Sequence, residues 1–252
     1  MRGIETAARV GFWGDGMTAV RRPELGADDL ERKFILFVAS LLIGVSVIGF
    51  GYFLLSGKST FASPWWVHVH AVSMVAWLGF FVVQNLAVVT GRMALHRRLG
   101  WFGAVYAVGL VLGGYVVGWV EVSSGRNMPF DPPESLALNW MNITTFAGLF
   151  VAAIHLRRRP DWHKRLMLCA MICLTAPAYG RTLIMLDART NTNFTLFMLA
   201  LIAIAALGDL AIRRRIHAAY LWGFAAAAAM GALIGGLPML GPFTDFANSM
   251  AK

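Results

Sequence analysis

Long apolar runs separated by short polar breaks run through the chain from residue 34 onward. A bilayer core needs about 20 mostly apolar residues per helix. Seven runs are long enough: 34–55, 65–90, 101–122, 136–156, 166–186, 194–212 and 218–240. None alternates with a period of two, so the strands of an outer-membrane barrel are not expected. A lone strand in lipid would also leave its backbone groups unpaired, whereas a helix satisfies them internally. The pattern predicts an all-α, polytopic membrane bundle of seven helices, with residues 1–33 and 241–252 as tails outside it.

Composition agrees. The 252 residues are 58% apolar and only 14% charged, where soluble domains run nearer half and a quarter. The net charge of +9 acquires its meaning from where it sits. Six of the 22 Lys and Arg residues precede the first span. Arg92, Arg97 and Arg98 lie between spans two and three; Arg157, Arg158, Arg159, Lys164 and Arg165 between four and five; Arg213, Arg214 and Arg215 between six and seven. The other side keeps Lys58, Arg126, Arg181, Arg189 and Lys252. This asymmetry predicts a cytoplasmic N-terminus and an external C-terminus. It also makes anionic headgroups, and not nucleic acid, the expected partner of the basic surface. Residues 1–33 hold no apolar core of signal-peptide length, so the first span is expected to be retained. Seven of the nine tryptophans fall at span ends, as interfacial belts do; Trp77 lies inside span two.

Three pairs of small residues four apart, Gly109/Gly113, Gly114/Gly118 and Gly231/Gly235, could let helix backbones approach. HRRLG at 96–100 opens the third span and HKRLM at 163–167 opens the fifth. Residues 65–122 and 136–186 are therefore candidate repeated hairpins. The prolines at 129, 132 and 133 predict an extended connection over 123–135.

Candidate chemistry divides between the two ends. On the basic side stand His96, His155, His163 and His217. Neutral imidazole can ligate haem iron or a transition metal, and His96, His155 and His163 together would make a three-histidine metal site. Interfacial histidines without a cofactor are the alternative. On the opposite side His70 shares a stripe with Ser73, Trp77 and Gln84. Asn142, Tyr179 and Arg181 lie in the outer halves of spans four and five. With His70 they form a candidate ligand pocket, suited to the carbonyls of a quinone or to an anionic head. Pro177 should free the carbonyl of Cys173 and kink span five beside them. The alternative is a network of interhelical hydrogen bonds with Arg181 paired to Glu121 or Asp187. Cys169 and Cys173 read as apolar packing, and Asp209 with Arg213 as an interfacial ion pair.

The run HVHAVSMVAWLGFFVVQNLAVVTGRMALHRRLG at 68–100, with WHKRLM at 162–167 and Arg181, resembles a group of uncharacterised bacterial multi-pass inner-membrane proteins. That resemblance implies the bacterial inner membrane and no particular activity. More loosely, His70 with Met74 and Trp77, and the HRRLG entry, resemble ligand helices of b-type membrane cytochromes of the cytochrome-b/ferric-reductase kind. There the resemblance implies His70, His96 and His163 as axial ligands. His70 and His96, however, are 26 residues apart, about 39 Å along a helix. The two histidines on the outer side share one span. A single haem on the basic side, between two of His96, His155, His163 and His217, is what survives.

Three functions therefore compete: a redox protein with haem b or a metal held by histidine, a cofactor-free transporter or small-ligand receptor, and an assembly or scaffold protein. Nucleotide-binding loops, hydrolase elbows and zinc-protease helices are missing from the sequence.

Overall fold

The computed structural model describes residues 26–126 and 129–251. Arg2, Arg9, Arg21 and Arg22 lie outside them. Six described helices are long and apolar enough to cross a bilayer. They are α1 (Ala27–Leu55), α2 (Trp65–Val89), α3 (Met93–Ser123), α4 (Pro132–His155), α7 (Asn191–Arg213) and α8 (Ala219–Gly236), the last extended by a 3-10 turn, Leu237–Met239. Two shorter helices, α5 (Pro160–Leu174) and α6 (Ala176–Met185), meet at a bend of 45° and make a seventh span if they cross together. These are the helices of a multi-pass membrane protein. Val69, Val72 and Val75 on α2, and Val105, Leu112 and Val116 on α3, turn outward and stay exposed, as a lipid-facing surface requires.

The centre of the bundle is α5. Leu168, Cys169, Ala170, Met171, Ile172 and Cys173 are all fully buried, so this helix is enclosed on every side, with α1, α4, α7 and α8 packed against it. Two glycines permit the closest approaches. A side chain at Gly223 of α8 would collide with the Cys169 sulfur, and one at Gly49 of α1 with the Ala178 carbonyl of α6. Of the small pairs, Gly114/Gly118 seat Ile143 and Asn139 of α4, and Gly231/Gly235 seat Thr195 and Asn191 of α7. Gly109 and Gly113 face open space. Trp77 is buried because it belongs to the core. Its ring packs against Phe80, Tyr106, Phe146 and Phe150, and its Nε1–H donates to Met171 Sδ at 3.2 Å.

The tails expected from hydropathy are partly helix. α1 begins at Ala27, seven residues before the first apolar run, because Glu31 continues the buried stripe of Ile35, Val38 and Leu42. Pro132 and Pro133 start α4 within the connection expected to be extended, since proline suits the first helical turn. Residues of the C-terminal tail form α9 (Gly241–Met250). It buries Ala247 and sets Phe246 against Trp119 and Trp140.

Glu31 enters an ion cluster at the basic end. Arg165 of α5 donates from Nε and Nη2 to both carboxylate oxygens of Asp209 on α7, at 3.0 and 2.5 Å. It also donates to Glu31 Oε1 of α1 at 2.6 Å, and to the Asp161 carbonyl at 2.8 Å. Lys164 and Arg213 close on Glu31, and Arg213 also reaches Asp28. Asp209 thus pairs with Arg165 across helices and not with Arg213 one turn away, because the Arg165 fork matches its carboxylate bidentately. Breaking a buried pair from one side strands the other charges. Arg165→Met is expected to lower stability by about 3–5 kcal/mol, read as thermal or denaturant unfolding in mild detergent; a loss below about 1 kcal/mol would show the cluster holds nothing together.

Candidate functional site

The bend between α5 and α6 decides which polar residues are free for chemistry. Pro177 has no N–H to offer the Cys173 carbonyl, and in hydrocarbon that oxygen needs another donor. Two donors replace it: a backbone N–H at the C-terminal cap of α5, and Asn142 of α4, whose Nδ2 donates at 2.6 Å. The Ile172 carbonyl accepts from the Tyr179 hydroxyl at 2.7 Å and from Thr175 Oγ1 at 3.1 Å, and Thr175 also bonds Tyr179 and the Met171 carbonyl. Tyr179 is fully buried with its ring stacked on Phe197. Two of the four residues of the expected outer pocket, Asn142 and Tyr179, are therefore committed to the bend.

His70 and Arg181 remain. Arg181 makes no ion pair within 4.0 Å among the described residues, so neither expected partner, Glu121 or Asp187, closes on it. Its Nη1 donates to the Pro177 carbonyl at 3.0 Å, and the guanidinium lies 4.3 Å from the Phe50 ring centre and 5.1 Å from that of Phe53. Glu121 accepts instead from Asn139, whose Nδ2 donates to Oε2 at 3.0 Å. His70 and Glu121 both remain in the electrostatic field of Arg181. His68 folds back on its own loop, Nε2 donating to the Phe61 and Ser63 carbonyls.

At the basic end the structure brings two of four histidines together. The rings of His96 (α3) and His163 (α5) lie 6.4 Å apart, centre to centre, at 77°. His163 Nδ1 sits 2.8 Å from the Ala153 carbonyl. A carbonyl only accepts, so Nδ1 carries the hydrogen and the neutral ring keeps its lone pair on Nε2. Gln84 of α2 fixes His96. Its amide oxygen accepts from Gly100 N–H at 3.1 Å, and its nitrogen donates to the His96 carbonyl at 3.2 Å and to His96 Nδ1 at 2.6 Å. The two backbone contacts set the orientation of the amide, so the ring hydrogen of neutral His96 is on Nε2. His163 is thus held through Nδ1, and His96 is held by Gln84.

The other two stand apart. His217 bonds Asp161 Oδ2 at 3.1 Å, accepts from Ala219 N–H at the start of α8, and lies edge-on to Trp162; it joins α5 to α8. His155 is exposed at the end of α4. The three-histidine site expected of His96, His155 and His163 is not assembled, and among the described residues no three His, Cys, Asp or Glu side chains are grouped to hold a metal ion. Cys169 and Cys173 are free thiols buried in the core. Sequence reasoning missed Gln84 as the partner of His96. The signal was present, since Gln84 and His70 share a helix face with buried Trp77.

Compared with known protein families, curated protein sequences and solved structures, the chain has no significant match.

The bend yields a double-mutant test. Asn142→Ala should cost about 0.5–1.5 kcal/mol by removing one of the bonds to the Cys173 carbonyl. Pro177→Ala in the same chain should recover most of that loss, because residue 177 then donates to Cys173 itself. Unfolding of the two single variants and the double variant measures the coupling; simple additivity would show that Asn142 does not serve this carbonyl.

Proposed function

We propose that the protein is a seven-span redox protein of the bacterial inner membrane that holds a b-type haem at its cytoplasmic end, with His163 and His96 as axial ligands. The His96–His163 pair carries this reading. The two rings lie close together, 6.4 Å between centres, and would be the residues to hold such a group. Metal-bound histidines characteristically donate their other ring N–H to a carbonyl or carboxylate, as His163 Nδ1 does to Ala153 here. His163 has its Nε2 lone pair ready. His96 would bind through Nε2 as a neutral imidazole in its other tautomer, with the ring hydrogen on Nδ1 and the Gln84 amide turned to accept it.

Haem is favoured over a bare ion by the ligand count. Two histidines fall short of the three or four protein ligands of zinc sites, whereas haem brings its own in-plane nitrogens and asks only for axial ones. The basic connections support a cytoplasmic N-terminus, an external C-terminus and anionic headgroups around the haem end. The redox partner implied is a quinone dissolved in the bilayer.

Haemin titrated into the purified apoprotein should saturate at one equivalent per chain with a six-coordinate spectrum. His163→Ala should abolish uptake. His96→Ala should retain haemin in a five-coordinate, high-spin form, because His163 alone is set as a ligand in the unloaded protein. Equal uptake and identical spectra in wild type and both variants would refute the assignment.

A further inference from the structure

A groove of about 750 Å³ runs along α4 and α8, with Trp162 and Leu166 of α5 at its basic end. Small residues make it. Gly148 and Ala152 of α4 share its lining with Ala225, Ala226 and Ala229 of α8, and a side chain at Gly148 would meet nothing within 4 Å. On α8 the lining runs from Trp222 to Leu233, 11 residues further on, which is about 16 Å of helix. That is close to the depth of one leaflet, half of a hydrocarbon core about 30 Å thick. On α4 it runs from Leu156 back to Met141, one turn longer.

Charge is confined to one end. Among the described residues that line the groove, Arg159 alone is charged. Its guanidinium has no hydrogen bond or ion pair among the described residues, and the nearest carboxylate in sequence, Asp161, bonds His217 at 3.1 Å. Trp162 and Trp222 line the same end, and their indole N–H groups likewise have no acceptor among the described residues. An indole at a bilayer interface offers an apolar body and one donor. At the other end Thr144 spends its hydroxyl on the Trp140 carbonyl at 2.6 Å, and Thr145 is the remaining hydroxyl.

We propose that this groove binds one anionic phospholipid from the leaflet at the basic end, with its phosphate at Arg159 and an acyl chain laid between α4 and α8. The planar fork of Arg159 suits two phosphate oxygens, and the apolar length below it matches a chain that ends near the bilayer midplane. A quinone would fill the same apolar space but brings no charge for Arg159. This is a single lipid held in one place, in contrast to the general attraction of basic connections for headgroups, and it does not depend on haem.

The full chain is reconstituted in nanodiscs of phosphatidylcholine and phosphatidylglycerol in equal amounts, and the lipids it retains are counted by native mass spectrometry. The wild type should keep one phosphatidylglycerol in preference to phosphatidylcholine. Arg159→Gln, at an exposed position, should weaken that retention about tenfold, the worth of a hydrogen bond to a charged group. Gly148→Leu should abolish it, because the new side chain enters the open space of the groove. That variant leaves every charge in place, so its loss of lipid separates a chain held in the groove from loose headgroup attraction. Thermal unfolding should be unchanged or higher, since leucine favours helix over glycine; Ala229→Leu fills the same space from α8 and serves where Gly148→Leu does not fold. The proposal is overturned by a wild type that keeps both lipids equally, by either folded variant keeping phosphatidylglycerol as the wild type does, or by a quinone or a second copy of the chain occupying the groove instead.

Discussion

The shared guanidinium of Arg165 is the constraint on which the rest of the bundle depends. It joins Glu31 of α1 and Asp209 of α7 to the first turn of α5, with every participant of that core pairing nearly inaccessible. A charge this deep is tolerated only when its hydrogen bonds are complete, and Nε, Nη1 and Nη2 of Arg165 each find an acceptor. The consequence is positional. Once Arg165 is fixed, the register of α5 is fixed. His163 then lies two residues before it beside Ala153 and His96, and Asp161 four before it beside His217.

A second constraint acts ten residues further on. Lipid provides no substitute donor for a carbonyl that proline has left open, so the bend at Thr175 draws in Asn142, Tyr179 and the Thr175 hydroxyl. Polar side chains in the span therefore divide by what they must satisfy. Those aimed at the bend serve the backbone. Arg181, two residues past Tyr179 and so on another face of α6, is left with its donors over aromatic rings.

Much of this architecture was legible in the sequence. Run length against bilayer thickness located the apolar spans, and the kink at Pro177 followed from proline chemistry. The small pairs at 114/118 and 231/235 were legible as contacts, but 109/113 carries the same spacing and faces open space. Spacing reports which residues share a face; it does not report whether that face meets a helix or lipid. Glu31 was hidden by hydropathy, which ended the helix at the last apolar residue although the stripe through Ile35 and Val38 extends to it. The pairing of Asp209 with Arg165 was illegible because proximity in sequence favoured Arg213. For the histidines, sequence grouped four by depth in the membrane; only packing of α3 against α5 through α4 separates His96 and His163 from His155 and His217.

The most direct test of the central claim is the absorption spectrum of the wild-type protein, purified in mild detergent from haem-replete cells, before and after dithionite reduction. The account predicts a Soret band that sharpens and shifts on reduction, with distinct α and β bands, at about one haem per chain. A folded protein with a featureless spectrum, which also takes up no added haemin, would contradict it.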